Sequence, residues 1–459
     1  MDDTIRHNRR YLEPNSCICS IYRMGIYEER REMFSFKLEK SLIKGNSSIR
    51  TFLRQLSILF GCRSIGIIIG IFITILNGRV LTVEDMGQFN LAINLSNVLV
   101  IPLVFGTNTS VLKILPETRE NQKGTVIGTV FLCNGLMCIL GGILFCSFSF
   151  WGSGLLKISS MSWHLAVIIA ITSNLCIVTE TFLKHQQDFK NIGLGKLISS
   201  IVLLLAYLIG VYYLKLVDVK LFLVFNVISQ LILFLILVVK VDFHQIHFSL
   251  KVAKDIYSLS VLYMLSWLLS TFLYNADIYI LAYLSDHYEV GVYSAYQVNV
   301  RNYFSIFYHD VFAAVFLPTI LSMKIKKDEI YRNVNKWIPA IFGIIVMGTA
   351  AVCSLFIISY GKQYELNFLY VALVALGIGF QSIFFLINSI LVIEGMEGAK
   401  LSLAIMSKPF PFLVANIFLL TYLFGKIGTL IAFPVNQLIL VILLLYKTRR
   451  YREGDTNGC

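Results

Sequence analysis

The chain has 459 residues, of which 57% are hydrophobic and only 14% charged, where a soluble domain carries about 25% charged residues. The apolar sequence comes in continuous runs of about 20 residues, the length that crosses bilayer hydrocarbon as a helix. This excludes a soluble globular protein and also a β-barrel, whose strands alternate. The formal net charge of +12 lies mostly in alternate loops and at both termini, so it reads as an orientation signal and not as a nucleic-acid footprint; no nucleic-acid partner is expected.

Residues 1–48 form a polar, basic extension with HNRR at 7–10 and EERRE at 28–32. No apolar core follows its positive start, so no cleavable signal peptide is expected. Part of the extension reads as disordered, and Met33 would serve as a true start. Twelve spans then follow at 55–76, 88–107, 125–150, 162–183, 192–214, 219–239, 257–283, 291–317, 337–360, 366–393, 401–424 and 428–446. They divide into an N-terminal six-helix bundle (49–240), a linker (241–254) and a C-terminal six-helix bundle (255–446), with a basic tail over 447–459. The longest loop, 318–336, carries Lys324, Lys326, Lys327, Arg332 and Lys336. Loops after even-numbered spans, taken with the span ends that flank them, hold sixteen lysines and arginines. Those after odd-numbered spans, taken the same way, hold only Arg79, Lys157, Lys215, Lys220, Lys362 and Lys426. This bias assigns the even loops and both termini to the cytoplasm. Trp151, Trp163 and Trp337 fall near span ends, as interfacial aromatics do. Cys62, Cys133, Cys138, Cys146, Cys176 and Cys353 read as small packing residues within apolar runs, and Cys17 and Cys19 form a C-x-C with no second half.

The chain repeats itself. Leu259-Ser260-Val261-Leu262-Tyr263 echoes Leu56-Ser57-Ile58-Leu59-Phe60, and LSDHYEVGVYSA from Leu284 echoes LTVEDMGQFNLA from Leu81. The offset is 203 residues at Leu81/Leu284 and 204 at Gly87/Gly291, as one inserted loop residue would give. Each half therefore opens with the same helix–turn–helix hairpin, the first turn running from Asn77 to Gly87.

Four stretches carry a family resemblance. They are Asn77-Gly78-Arg79-Val80-Leu81 with Glu84-Asp85-Met86-Gly87-Gln88-Phe89; Leu112-Lys113-Ile114-Leu115-Pro116-Glu117; Asn275-Ala276-Asp277-Ile278-Tyr279-Ile280-Leu281 with Gly291-Val292-Tyr293; and Tyr360-Gly361-Lys362-Gln363-Tyr364. In this order, over residues 45–450, the chain resembles the Wzx-type lipid-linked oligosaccharide flippases of the multidrug/oligosaccharidyl-lipid/polysaccharide exporter superfamily. The resemblance implies an all-α fold of two pseudo-symmetric six-helix bundles around a central cavity, working by alternating access. It also implies a polyprenyl-pyrophosphate-linked oligosaccharide as substrate, moved across a bacterial inner membrane for surface polysaccharide such as O-antigen or capsule. A polysaccharide polymerase and a chain-length regulator would be its partners, and no cofactor would be needed beyond a proton or sodium gradient. Residues 1–48 lie outside the family pattern.

Charges within spans are costly and mark transport paths or pairs. Arg63 in the first span and Arg301 in the eighth are the candidates to hold the pyrophosphate, since guanidinium binds phosphate oxygens in a bidentate way. The alternative for each is pairing with a carboxylate between helices or, for Arg63, snorkelling to the cytoplasmic face. Asp277 is the candidate counter-ion or coupling carboxylate, with structural pairing favoured. His309 and Asp310 form a candidate proton relay or packing pair, and Glu180 is a weaker candidate of the same kind. Asn97, which aligns with Arg301 across the repeat, and Asn94 are candidates for sugar contact, with hydrogen bonds between helices the favoured alternative. Lys113 to Glu117 reads as a cytoplasmic turn.

No phosphate-binding loop is present, because Gly195-Lys196-Leu197 and Gly425-Lys426-Ile427 lack the required Ser/Thr and upstream glycine, so ATP does not drive this chain directly. Two rivals remain. A cation-coupled multidrug antiporter of the same fold should line its cavity with carboxylates. A membrane-embedded polymerase or acyltransferase should present a sizeable outer loop, whereas the outer loops here are short.

Overall fold

The computed structural model describes residues 46–243, 247–308, 327–393 and 396–456. The chain divides into two compact units, Met1–Ser57 and Ile58–Cys459, and the architecture below is that of the second.

Every regular element among the described residues is helical. The first half comprises α1 (Asn46–Val80), α2 (Val83–Val104), α3 (Thr107–Ile114), α4 (Glu120–Ser147), α5 (Ser149–Leu156), α6 (Ser160–His185), α7 (Phe189–Leu208) and α8 (Val219–Val238). The second comprises α9 (Leu250–Leu284), α10 (His287–Tyr293), α11 (Asn299–Ile306), α12 (Lys327–Tyr360), α13 (Phe368–Ile393), α14 (Met396–Ser407) and α15 (Phe410–Thr456). Ten stretches among the described residues are long and apolar enough to cross a membrane. One of them, Lys400–Arg449, contains two expected spans: α15 breaks at Gly425, where φ is 58° and ψ −138°. The eighth expected span is described only as far as residue 308. The protein is a multi-pass membrane protein with the expected two-half helical fold.

Several local expectations need correction. The turn placed at Asn77–Gly87 is only two residues long, because α1 continues to Val80 and α2 starts at Val83. Thr82 caps α2, accepting from the Asp85 amide at 3.1 Å and donating its hydroxyl to Asp85 Oδ2 at 2.8 Å. Asp286 repeats the device 204 residues on, accepting from the Glu289 amide at 2.9 Å. These caps satisfy amides that the helix itself leaves open. The turn expected over Lys113 to Glu117 begins two residues later, since α3 runs to Ile114 and a 3₁₀ turn covers Leu115–Glu117. The basic loop at 318–336 is helical from Lys327 onward. Trp163, near the start of α6, is buried within the protein, and its indole N–H donates to the Phe145 carbonyl at 2.9 Å. Asn94 donates within its own helix, to the Asn90 carbonyl at 2.8 Å, where the sequence favours a bond between helices. Of the cysteines, Cys62, Cys138, Cys176 and Cys353 are buried as expected, whereas Cys146 is exposed.

Burial ranks the helices by position. In α2, 72% of the apolar window is buried, against 11% in α1, so α2 is central while α1 turns Ile68 and Phe72 outward, where lipid would solvate them. The largest buried apolar cluster takes residues from both halves, among them Met86, Leu91, Ile278, Leu281, Tyr296 and Tyr360. The two hairpins meet there, backbone to backbone. A Cβ on Gly87 would lie 2.3 Å from the His287 carbonyl oxygen, and one on Gly291 would lie 1.9 Å from that of Val83. These two glycines are equivalent positions of the repeat, and each allows its helix to approach the other half.

Candidate functional site

At the hairpin end of the molecule the family-like motifs form a clasp between the halves. Gln363 Nε2 donates to the carbonyls of Gly78 and Leu81, and Arg79 Nε donates to the Ser359 carbonyl at 2.6 Å. Lys157 Nζ reaches the Ser285 carbonyl at 2.7 Å. Glu289 holds the break in α15: its carboxylate accepts from Lys426 Nζ at 2.8 Å and from the Lys426 amide at 3.1 Å. At the other end of the helices α9 is tied to the first half, with Ser110 Oγ 2.7 Å from Ser260 Oγ and Lys113 bonded to the Tyr263 hydroxyl. Between these ends Thr74 Oγ1 of α1 lies 2.7 Å from the Tyr303 hydroxyl of α11. Thus three of the four motifs join helices of the two halves.

The charged centre lies in the second half. Arg301 Nη1 is 2.7 Å from Asp277 Oδ2, and the two side chains are only 3% and 7% exposed. The same carboxylate oxygen accepts from the Tyr293 hydroxyl at 2.6 Å and from Gln297 Nε2 at 3.4 Å. Arg301 Nη2 donates to Asn275 Oδ1 at 3.2 Å, and the guanidinium lies 5.8 Å from the centre of the Phe433 ring. The backbone explains this convergence. Residues four apart on a regular α-helix drift by about 40°, but a π turn over Ser294–Val298 separates α10 from α11. Its wider turn takes back that drift and keeps Tyr293, Gln297 and Arg301 on the Asp277 side. A buried ion pair survives only with such extra hydrogen bonds.

The equivalent positions in the first half hold Thr74, Phe89, Ile93 and Asn97 in place of Asp277, Tyr293, Gln297 and Arg301. At these positions ionic character has therefore been placed in one half only, against the pseudo-symmetry of the backbone. No single-residue feature of the sequence reveals this, but the 203/204 offset read position by position does.

Arg301 also lines a cavity of about 340 Å³ bordered by residues of α9, α11, α13 and α14. Its walls offer the amides of Asn275, Asn302, Gln381 and Asn388, the hydroxyls of Ser270, Ser305, Ser389, Tyr274 and Tyr308, and the apolar surfaces of Phe384, Phe385 and Met406. The α13 residues are not among the sequence candidates, because a few polar residues in an apolar run look alike until the helix is rotated into place. The remaining candidates lie elsewhere. Arg63 is half-buried on α1, about two turns from Gly70, and Gly70 packs on Tyr303. Asn97 is exposed on α2. Glu180 is paired with Lys184 and Lys196, each at 2.9 Å, near the end of α6. His309 and Asp310 lie outside the described residues.

The ties on Glu180 give a simple expectation. Glu180→Gln should lower thermal stability by about 1 kcal/mol and leave the ion dependence of transport as it is. A changed ion dependence in vesicles would instead place Glu180 in coupling.

The second half thus sets a polar cavity between helices long and apolar enough to cross a membrane. The fold is similar to that of a lipid II flippase, MurJ, in an inward closed conformation, with a TM-score of 0.65 at 15% identity, covering 85% of this chain and 87% of that one. It is equally similar to an inward-facing multidrug resistance transporter of the MATE family, with a TM-score of 0.65 at 13% identity, covering 86% and 95%. An outward-facing MATE transporter matches with a TM-score of 0.55 at 12% identity, covering 87% and 95%. No curated protein sequence matches significantly. The profile of the polysaccharide biosynthesis protein family matches residues 52–324, more than half of the chain, and the chain belongs to that family.

Proposed function

We propose that this protein flips a polyprenyl-pyrophosphate-linked oligosaccharide across a bacterial inner membrane, for assembly of a surface polysaccharide such as O-antigen or capsule. The observation that carries this reading is the cavity around Arg301, rich in amides and hydroxyls and set between spans of a polysaccharide biosynthesis protein. Alternating access would open the two ends in turn: the clasp of Gln363, Arg79 and the paired glycines at the outer end, and the α3–α9 contacts at the cytoplasmic end. The loop-charge bias puts both termini in the cytoplasm. Arg63 on α1 offers the pyrophosphate a cation within the span, and Asn97 offers its carrier a polar contact. Arg301 is held by Asp277 and lends hydrogen bonds more than net charge. A proton or sodium gradient supplies the driving force.

The antiporter reading is weakened by the same geometry. Its expected cation site would centre on Asp277, whose carboxylate is already matched by Arg301.

The purified chain in proteoliposomes should move a polyprenyl-pyrophosphate-linked oligosaccharide between leaflets, detected by its accessibility to an external lectin. Movement should stop when the ion gradient is dissipated and fall at least tenfold in Arg63→Ala. Absence of lipid movement combined with gradient-driven export of a cationic dye would replace this reading with the antiporter.

A further inference from the structure

The cavity of the second half contains hydrogen-bonding groups that the ion pair does not use. Gln381 is 1% exposed, lines the cavity, and its Oε1 has no hydrogen-bond partner among the described residues. The buried hydroxyl of Tyr274, which also lines the cavity, lacks one among the described residues as well. Leaving such groups unbonded costs about 1–3 kcal/mol each, a cost that a polar ligand would offset. Asn388 Oδ1 accepts from the Ser402 hydroxyl at 2.6 Å, and its NH₂ is a donor on the same cavity wall.

Charge decides what kind of ligand fits. Among the described residues, Arg301 is the only lysine, arginine, histidine or carboxylate residue lining the cavity, and Asp277 neutralises it at 2.7 Å. A pyrophosphate placed here would meet no unmatched cation from those walls and would approach a carboxylate. A neutral ligand with many hydroxyls meets amides, hydroxyls and an aromatic wall. Half-buried Phe385 packs edge-on against Tyr274 at 5.5 Å and beside Tyr308 at 5.1 Å, a rigid apolar surface for the C–H face of a ring. At about 340 Å³ the cavity sits at the small end of ligand sites, which run from about 300 to 1,000 Å³, so it suits a sugar ring or two and not a whole repeat unit.

We propose that this cavity binds one neutral pyranose of the lipid-linked saccharide, a hexose or an N-acetylhexosamine. Gln381, Tyr274 and Asn388 hydrogen-bond its hydroxyls, and Phe385 packs on its ring. The pyrophosphate is held elsewhere, by Arg63. The identity of the carrier rests on the flippase reading; the sugar chemistry of the cavity does not.

Two probes separate the possibilities: polyprenyl pyrophosphate bearing N-acetylglucosamine, and bare polyprenyl pyrophosphate, each with the full chain in nanodiscs and in proteoliposomes. The wild type should bind the sugar-bearing lipid at least tenfold more tightly. Gln381→Leu replaces a buried amide whose Oε1 is unbonded among the described residues by an apolar side chain of similar size and should fold normally. It should abolish the preference while leaving affinity for the bare lipid unchanged, and Asn388→Ala should reduce the preference severalfold. Arg63→Ala should weaken both lipids alike. Equal weakening of both lipids by Gln381→Leu would make the cavity a pyrophosphate site and overturn the proposal. So would an unaltered preference, or a wild type that does not distinguish the two lipids. Flipping in the proteoliposomes is read separately. A chain that keeps the Gln381-dependent sugar preference but moves neither lipid would refute the flippase reading and leave the sugar site standing.

Discussion

Asp277→Ala is expected to destabilise the protein by about 3–5 kcal/mol, because it leaves the Arg301 guanidinium buried without its counter-charge. Arg301 is 3% exposed and receives its compensation from one carboxylate at 2.7 Å and one amide oxygen at 3.2 Å. Removal of the carboxylate also strands the Tyr293 hydroxyl and Gln297 Nε2, both of which donate to it. The double variant Asp277→Ala/Arg301→Met should recover most of the loss, since an apolar replacement of both partners removes the desolvation cost along with the attraction. Thermal unfolding of the detergent-solubilised protein measures both. Equal instability of the single and double variants would show that the two charges do not depend on each other. Arg301→Met alone should be destabilised like Asp277→Ala, so a loss of transport in that variant is informative only beside its melting temperature.

The second large effect is at the crossing of the two hairpins. In Gly291→Val the new Cβ would lie 1.9 Å from the Val83 carbonyl oxygen, a backbone atom that no rotamer change can move. Overpacking of this kind costs about 1–3 kcal/mol, and here it falls on the contact between the halves. The halves should separate at that end while each stays folded. A cysteine introduced at Gln363, whose amide bonds the carbonyls of Gly78 and Leu81, should then react faster with a membrane-impermeant maleimide. Gly343→Val is the control, since nothing lies within 4 Å of a Cβ at that position. Unchanged labelling in Gly291→Val would show that the crossing does not close this end.

The repeated caps and the paired glycines show how far local sequence reaches. Thr82 and Asp286 start their helices by the same rule, and both stand in the sequence at the repeat offset. Gly87 and Gly291 are visible there as repeat equivalents, but their mutual contact is not. Nothing in either hairpin says that the other will cross it at backbone distance. Arg301 and Asp277 are legible as a cost, since any charge within an apolar span needs compensation. Arg63, Asp310 and Glu180 are equally eligible partners in the sequence, and rotation of α9 and α11 makes the choice. Gln381 and Asn388 are not legible at all, because α13 is one of the most apolar stretches of the chain and its polar residues gain meaning only from the wall they share.

That the chain is a membrane protein, where its spans lie, and that it is built from two related halves all follow from the order of its residues. Hydrophobic run length, helix capping and charge bias are local properties that act on each segment alone. Packing in three dimensions adds that most of the family-like motifs clasp the halves together, that Arg301 belongs to Asp277, and that a polar cavity opens beside this pair in the second half. These depend on contacts between residues up to 285 positions apart, such as Gln363 with Gly78, and on the angle at which each helix faces its neighbours. Neither distance in space nor that angle is written in the order of residues along one apolar helix.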